Sequence, residues 1–130
     1  MYPRVMMVDD NDSDLLFTRV TLQRCGVPCE VLAFERAEDG LAHLAGRPDH
    51  GVRLILLDIN MPVMDGFGFL DAFQALPESH RSGTSVVMLS SSADPADRAR
   101  AERYPCVTGY FTKPLDRAQA ADLLHRTIGD

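Results

Sequence analysis

Strand-sized apolar runs alternate along this chain with stretches of helical periodicity, and that alternation restricts the fold more than any other feature. The runs are Arg4–Val8, Glu30–Phe34, Leu54–Leu57, Val86–Leu89 and Tyr110–Thr112. Leu54–Leu57 is apolar at every position, which predicts a strand buried on both faces, as in a parallel sheet covered by helices. Between the runs, turn and cap residues mark helices. Asp12 or Ser13 is placed to cap a first helix that stops at Gly26, with Leu15, Leu16, Val20, Leu22 and Cys25 facing inward. A second helix carries Ala37, Leu41 and Leu44 on one face and ends at Gly46. A third, Gly66–Leu76, aligns Phe69, Phe73 and Leu76 before Pro77 stops it. Asp94-Pro95 opens a fourth helix, and Asp116 caps a last one, with Ala121, Leu124 and Ile128 inward and Gly129 at its end.

The resulting order is (βα)5, an α/β fold with a doubly wound, five-stranded parallel sheet. The strand order 2-1-3-4-5 is adopted by analogy with other open sheets of this kind, whose sites lie at the carboxyl ends of the strands. The 130 residues are read as a single domain, 1–130, because the length is too short for two ordinary ones. A formal charge of −6 argues against a nucleic-acid binder, which needs a basic surface. No apolar run approaches the roughly 20 residues of a membrane span, and Met1-Tyr2-Pro3-Arg4 lacks the layout of a signal peptide. A cytoplasmic protein with no membrane contact is therefore expected. Cys25, Cys29 and Cys106 form no CxxC pair and are read as small, partly buried thiols. His43, His50, His80 and His125 are read as surface or hydrogen-bonded residues rather than zinc ligands.

The residues that follow the strands are Asp9-Asp10, Asp58, Ser90 and Lys113, and all are polar. In the 2-1-3-4-5 order they converge on one edge of the sheet. Carboxylates gathered there repel: a pair 4 Å apart costs about 4 kcal/mol at an effective dielectric of 20. A hard divalent cation with oxygen ligands offsets that, and Mg²⁺ is the natural candidate, with Mn²⁺ as the alternative. Asp12 and Asp14 are read instead as cap or solvated charges. Lys113 is the only lysine in a chain with 12 arginines. Its compact charge suits contact with a phosphoryl oxygen.

In sequence these residues resemble the bacterial response-regulator receiver family over nearly the whole chain, in its stand-alone, CheY-like form. Val8-Asp9-Asp10-Asn11 is similar to the acidic metal-binding turn, and Asp58-Ile59-Asn60-Met61-Pro62-Val63-Met64-Asp65-Gly66 to the D-x-x-M-P-x-M-[DN]-G phosphoacceptor loop. Ser90 matches the Ser/Thr switch position, and Tyr110-Phe111-Thr112-Lys113-Pro114 the aromatic-x-x-K-P ending of strand 5. The resemblance implies a flavodoxin/CheY-like fold in which Asp58 is phosphorylated by a sensor histidine kinase or a histidine phosphotransfer protein. Asp9, Asp10, Asp58 and the backbone carbonyl of Asn60 would hold Mg²⁺. Lys113 and the Ser90 hydroxyl would contact the phosphoryl oxygens, and without phosphate Lys113 would pair with Asp58. Pro62 and Gly66 would shape the loop, Gly66 by permitting a tight turn.

Tyr110 would be the switch aromatic, turning in as Ser90 is drawn toward the phosphoryl group. The bland alternative is a strand aromatic with its hydroxyl at the surface. The fourth helix has only alanines as apolar residues, Ala96, Ala99 and Ala101, so it should be loosely anchored. With strand 5 and the last helix it would form a face that reports phosphorylation to a downstream protein target. A homodimer through that face is left open. Leu15, Leu16 and Pro114 are candidates for the kinase-facing surface. With no room for an output domain, the output would be a partner or onward phosphotransfer, and the only chemistry would be the domain's own phosphorylation and dephosphorylation. No other cofactor is expected.

Three other readings fit less well. A haloacid-dehalogenase-type phosphatase needs a general acid where Asn60 stands. A flavodoxin-type binder would meet a repulsive Asp9-Asp10-Asn11-Asp12 loop. A module that keeps only the fold would have no use for the full acidic set.

Overall fold

In the computed structural model, residues 2–128 are described, the last without its side chain. The elements run β1 (Arg4–Val8), α1 (Asp12–Arg24), β2 (Glu30–Phe34), α2 (Ala37–Ala45), β3 (Val52–Leu57), α3 (Gly66–Gln74), α4 (Glu78–Arg81), β4 (Ser85–Ser90), α5 (Pro95–Glu102), β5 (Val107–Thr112) and α6 (Arg117–Ile128). All strand pairs are parallel and the order is β2-β1-β3-β4-β5, the expected one.

Alternation along the central strands builds two cores, because successive side chains leave a strand on opposite faces. Met6, Val8, Ile55, Leu57, Val86 and Met88 meet Leu44 of α2, Phe69 and Phe73 of α3, and Ala101 of α5. Val5, Met7, Leu54, Leu56, Val87 and Leu89 meet Leu15 and Leu22 of α1 and Leu123 and Leu124 of α6. Helices therefore cover both faces.

One cap and the inner faces of two helices depart from expectation. The first helix is capped by Asn11, whose side chain accepts from the Asp14 N–H, not by Asp12 or Ser13. That phase buries Leu15, Thr18, Thr21 and Leu22 and leaves Leu16 63% and Phe17 55% exposed, so Leu16 does not belong to the inner face. Thr21 is tolerated inside because its hydroxyl donates to the Phe17 carbonyl. In α6, Ala120, Leu123 and Leu124 are buried and Ala121 only half-buried. The Ile128 side chain and Gly129 lie outside the described residues. Asp116 does cap α6, in a reciprocal box with Gln119. Asp94 caps α5 through the Ala96 N–H, with Pro95 in the first turn.

The one-turn helix α4 was not predicted. It follows Pro77 and is held by side chains rather than by its own length: Arg81 donates to the Leu76 carbonyl and His80 Nδ1 lies 2.9 Å from the Leu44 carbonyl. His50 is buried, with Nδ1 accepting from Val52 and Nε2 2.6 Å from the His80 carbonyl. Those two histidines are satisfied, as read. His43 is not, because its Nε2 is buried with no hydrogen-bond partner. The three cysteines are half-buried and free. Among the described residues no helix is long and apolar enough to cross a membrane.

Candidate functional site

Strand register carries the polar residues to one edge. Val8 pairs with Leu57, and the Asp58 N–H continues the ladder to the Val8 carbonyl at 3.0 Å. Asp9 does the same to the Phe34 carbonyl at 3.1 Å. Ser90 pairs with Thr112, and the Lys113 N–H reaches the Ser90 carbonyl at 2.8 Å. Each of these residues is thus placed by the last hydrogen bonds of a strand, on backbone buried beneath two cores.

Asp9, Asp10 and Asp58 each offer a carboxylate oxygen, and these oxygens lie within 4.8 Å of one another. Asp9 and Asp58 are buried and Asp10 is exposed, so the pocket opens to solvent on the Asp10 side. Each buried carboxylate has one oxygen tied to the backbone. Asp9 Oδ1 accepts from the Asn11 N–H at 3.0 Å, and Asp58 Oδ1 accepts from the Ile59 N–H at 2.9 Å. Burial, and then the charge of Asp9, push the Asp58 carboxyl up to about 6, against the pull of Lys113. Three hard oxygen donors carrying surplus negative charge fit Mg²⁺ or Mn²⁺.

Lys113 is where the structure adds partners to those expected from the sequence. Its Nζ lies 2.6 Å from Asp9 Oδ2 and 2.9 Å from Asp14 Oδ2, but 3.7 Å from Asp58 Oδ2. The expected Lys113–Asp58 ion pair is present, and it is the longest of three. Burial works against the lysine's charge, yet the carboxylates of Asp14, Asp9 and Asp58 outweigh it and hold the ammonium above its usual range. Asp14, read as a cap or solvated charge, is a member of the site. The signal for it was present: Asp14 shares a helical stripe with Thr18 and Leu22 at i, i+4 and i+8, both buried.

Ser90 is fully buried, and its Oγ accepts from the Ser92 N–H at 3.1 Å. Tyr110 is half-buried against the core, with its hydroxyl donating to the Ser92 carbonyl at 2.8 Å, so it is not free at the surface. The Ser92 hydroxyl donates in turn to Asp97 of α5. Sequence reasoning gave Ser92 no part in this link. Asn60 is exposed in the β3–α3 loop, two residues beyond Asp58.

Gly66 is required, but for space rather than for a left-handed turn. Its N–H bonds the Ile59 carbonyl at 2.7 Å, and a Cβ there would overlap the Asp58 carbonyl oxygen and lie 2.9 Å from Ile59 Cα. The left-handed residue in this loop is instead Val63, at φ 70 and 90% exposed.

A five-stranded parallel sheet in this order, with an acidic cluster and a lysine at its carboxyl edge, defines a class of signalling module, and the comparisons agree. The chain belongs to the response regulator receiver domain family, whose model matches residues 5–125. It is 32% identical over 128 residues to the sensor protein GacS of Pseudomonas syringae pv. syringae, covering 98% of this chain but 14% of that protein. It is 30% identical over 93 residues to a probable chemotaxis protein CheY of Rhizobium etli, covering 72% of this chain and 67% of that one. The crystal structure of a two component response regulator from Cytophaga hutchinsonii superposes with a TM-score of 0.86 at 26% identity, over 99% of this chain and 98% of that one. The fold is CheY-like, and receiver domains bind Mg²⁺ at an acidic pocket of this kind and accept phosphate from histidine kinases.

Proposed function

We propose that Asp58 is the phosphoacceptor of a two-component or phosphorelay pathway, fed by a sensor histidine kinase or a histidine phosphotransfer protein. The observation that carries this is the state of Asp58 Oδ2. One oxygen of this buried carboxylate is fixed by the Ile59 N–H, and the other faces Lys113 across 3.7 Å beside two further carboxylates. Oδ2 attacks phosphorus, the P–O bond forms as the P–N bond of phosphohistidine breaks, and the imidazole nitrogen keeps that electron pair. Asp9, Asp10, Asp58 and the Asn60 carbonyl would hold Mg²⁺, or Mn²⁺ in its place. When bound, the ion neutralises charge on the transferring phosphoryl oxygens.

Lys113 supplies a second positive charge 3.7 Å from Asp58 Oδ2. Ser90 Oγ accepts from the Ser92 N–H, an arrangement that leaves its own proton to donate to a phosphoryl oxygen. That donation pulls on Ser92, which holds the Tyr110 hydroxyl through its carbonyl and Asp97 through its hydroxyl. The α5–β5–α6 face then reports phosphorylation to a partner protein, or the phosphoryl group moves on. The domain turns over only its own phosphoryl group and needs no other substrate. Three free thiols suit a reducing, cytoplasmic setting.

Incubation with acetyl phosphate and Mg²⁺, followed by intact mass measurement, tests the acceptor. The expected result is the mass of one phosphoryl group in the wild type and none in Asp58→Asn. No gain in the wild type, or an equal gain in the variant, overturns it.

A further inference from the structure

We propose that Asp14 is a positioning residue: it tethers the Lys113 ammonium at the mouth of the pocket and competes with the phosphoryl group for it. The inference rests on Asp58 being the acceptor. It begins from the donor inventory of a lysine, which has three N–H groups and no acceptor. Asp9 Oδ2 and Asp14 Oδ2 lie at hydrogen-bond distance from Nζ, and Asp58 Oδ2 lies beyond it at 3.7 Å. The ammonium is therefore held off the nucleophilic oxygen, which stays free to attack phosphorus.

The two tethers differ in kind. Asp9 belongs to the acidic cluster, so a cation bound there shares its carboxylate. Asp14 stands outside that cluster and remains a partner for lysine alone. It is also fixed in place. Asp14 lies in the first turn of α1, where the Asn11 side chain accepts its N–H at 3.0 Å. Its stripe continues into buried Thr18 and Leu22, and Leu15 beside it is buried too, so the backbone cannot follow the lysine inward. The third N–H of the lysine is left for a phosphoryl group on Asp58 Oδ2, and a move of Nζ toward that group lengthens its 2.9 Å contact with Asp14. Two effects then act in one direction when Asp14 is neutralised: a competitor for the ammonium disappears, and so does a negative charge near an incoming dianion. With the Asp14 side chain 41% exposed and that of Lys113 13%, the tether tunes the site rather than locking it. The size expected of such a pair is about 2- to 5-fold in affinity, shrinking as salt is raised.

A simpler account of Asp14 is an acid that favours a helix N-terminus. Asp12 does that equally well and is exposed, and the ion pairs of Lys113 are with Asp9, Asp14 and Asp58 instead, so it provides the control. The test uses the full chain as Asp14→Asn, Asp14→Ala and Asp12→Asn. Affinity for beryllofluoride, a phosphoryl mimic, is measured with Mg²⁺ present. The ¹⁵Nζ resonance of lysine is followed in metal-free protein, where the single lysine gives a single signal. Both Asp14 variants should bind beryllofluoride about 2- to 5-fold tighter, and their ammonium protons should exchange faster with water. Asp12→Asn should change neither. Unchanged affinity in the Asp14 variants, equal tightening in Asp12→Asn, or an unmoved lysine signal overturns the tether. A wild type that binds no beryllofluoride and takes up no phosphoryl group overturns the acceptor reading, and the competition falls with it.

Discussion

Replacing Asp58 by asparagine should make the metal-free protein more stable at neutral pH, although the side chain is among the most buried polar groups in the fold. Asp58 is 6% exposed, and burial followed by the charge of Asp9 raises its carboxyl from 3.8 to about 6. A carboxyl whose folded value lies above its unfolded one is a cost whenever it is ionised. The cost is absent below pH about 3.8, grows as pH rises, and is complete above about 6. At full strength that displacement corresponds to about 3 kcal/mol. The pocket opens to water beside Asp10, and screening reduces the expected figure to about 1–2 kcal/mol. The amide keeps an oxygen for the Ile59 N–H, so the substitution removes charge with little change of shape. Urea denaturation with a chelator present reads the effect. At pH about 7.5 the midpoint should rise by roughly 1 M for a slope near 1.5 kcal/mol/M. At pH about 4.5 the gain should fall to about a third, because protonation has already relieved most of the wild-type cost. A midpoint that is unchanged or lower at the higher pH, or a gain as large at the lower pH, would refute the reasoning.

Four further outcomes follow from the geometry. Added Mg²⁺ should raise the thermal midpoint of the wild type, and less so that of Asp58→Asn, since an ion that binds only the folded site stabilises it by mass action; calorimetry with and without the ion checks this. Val63→Asn should stabilise by about 1 kcal/mol, because a β-branched residue occupies the left-handed region at φ 70; chemical denaturation is the measurement. Gly66→Ala should cost about 1–3 kcal/mol and slow acetyl phosphate labelling of Asp58, because the atoms a Cβ would strike are backbone. Ser92→Ala removes the hydroxyl that joins the β4–α5 loop to Asp97, and should speed amide exchange across the first turn of α5 without preventing labelling of Asp58.

The course of the chain through the site was legible in the sequence for a definite reason. In a parallel sheet built from βα repeats every strand ends at the same edge, so the residue after each apolar run is placed by counting. Asp9, Asp10, Asp58, Ser90 and Lys113 were found that way, while the strand order was taken by analogy with other open sheets and matches the one observed. Which partner Lys113 takes was decided elsewhere. It depends on how α1, capped by Asn11, docks on the sheet: that packing buries Leu15, leaves Leu16 exposed and brings Asp14 to Lys113. The reason for Gly66 was equally hidden, because the backbone it must avoid belongs to residues seven and eight positions earlier, brought back by the loop.

The sequence by itself therefore determined the layers, the edge and, Asp14 excepted, the identity of the charged groups gathered there. These follow from apolar periodicity and chain direction, which are local properties. Only the tertiary structure decided the distances among those charges, the burial that lifts the Asp58 carboxyl to about 6, and the tether of the single lysine to Asp14. Electrostatic energies depend on separation and on access to water, and both are fixed only once distant segments pack.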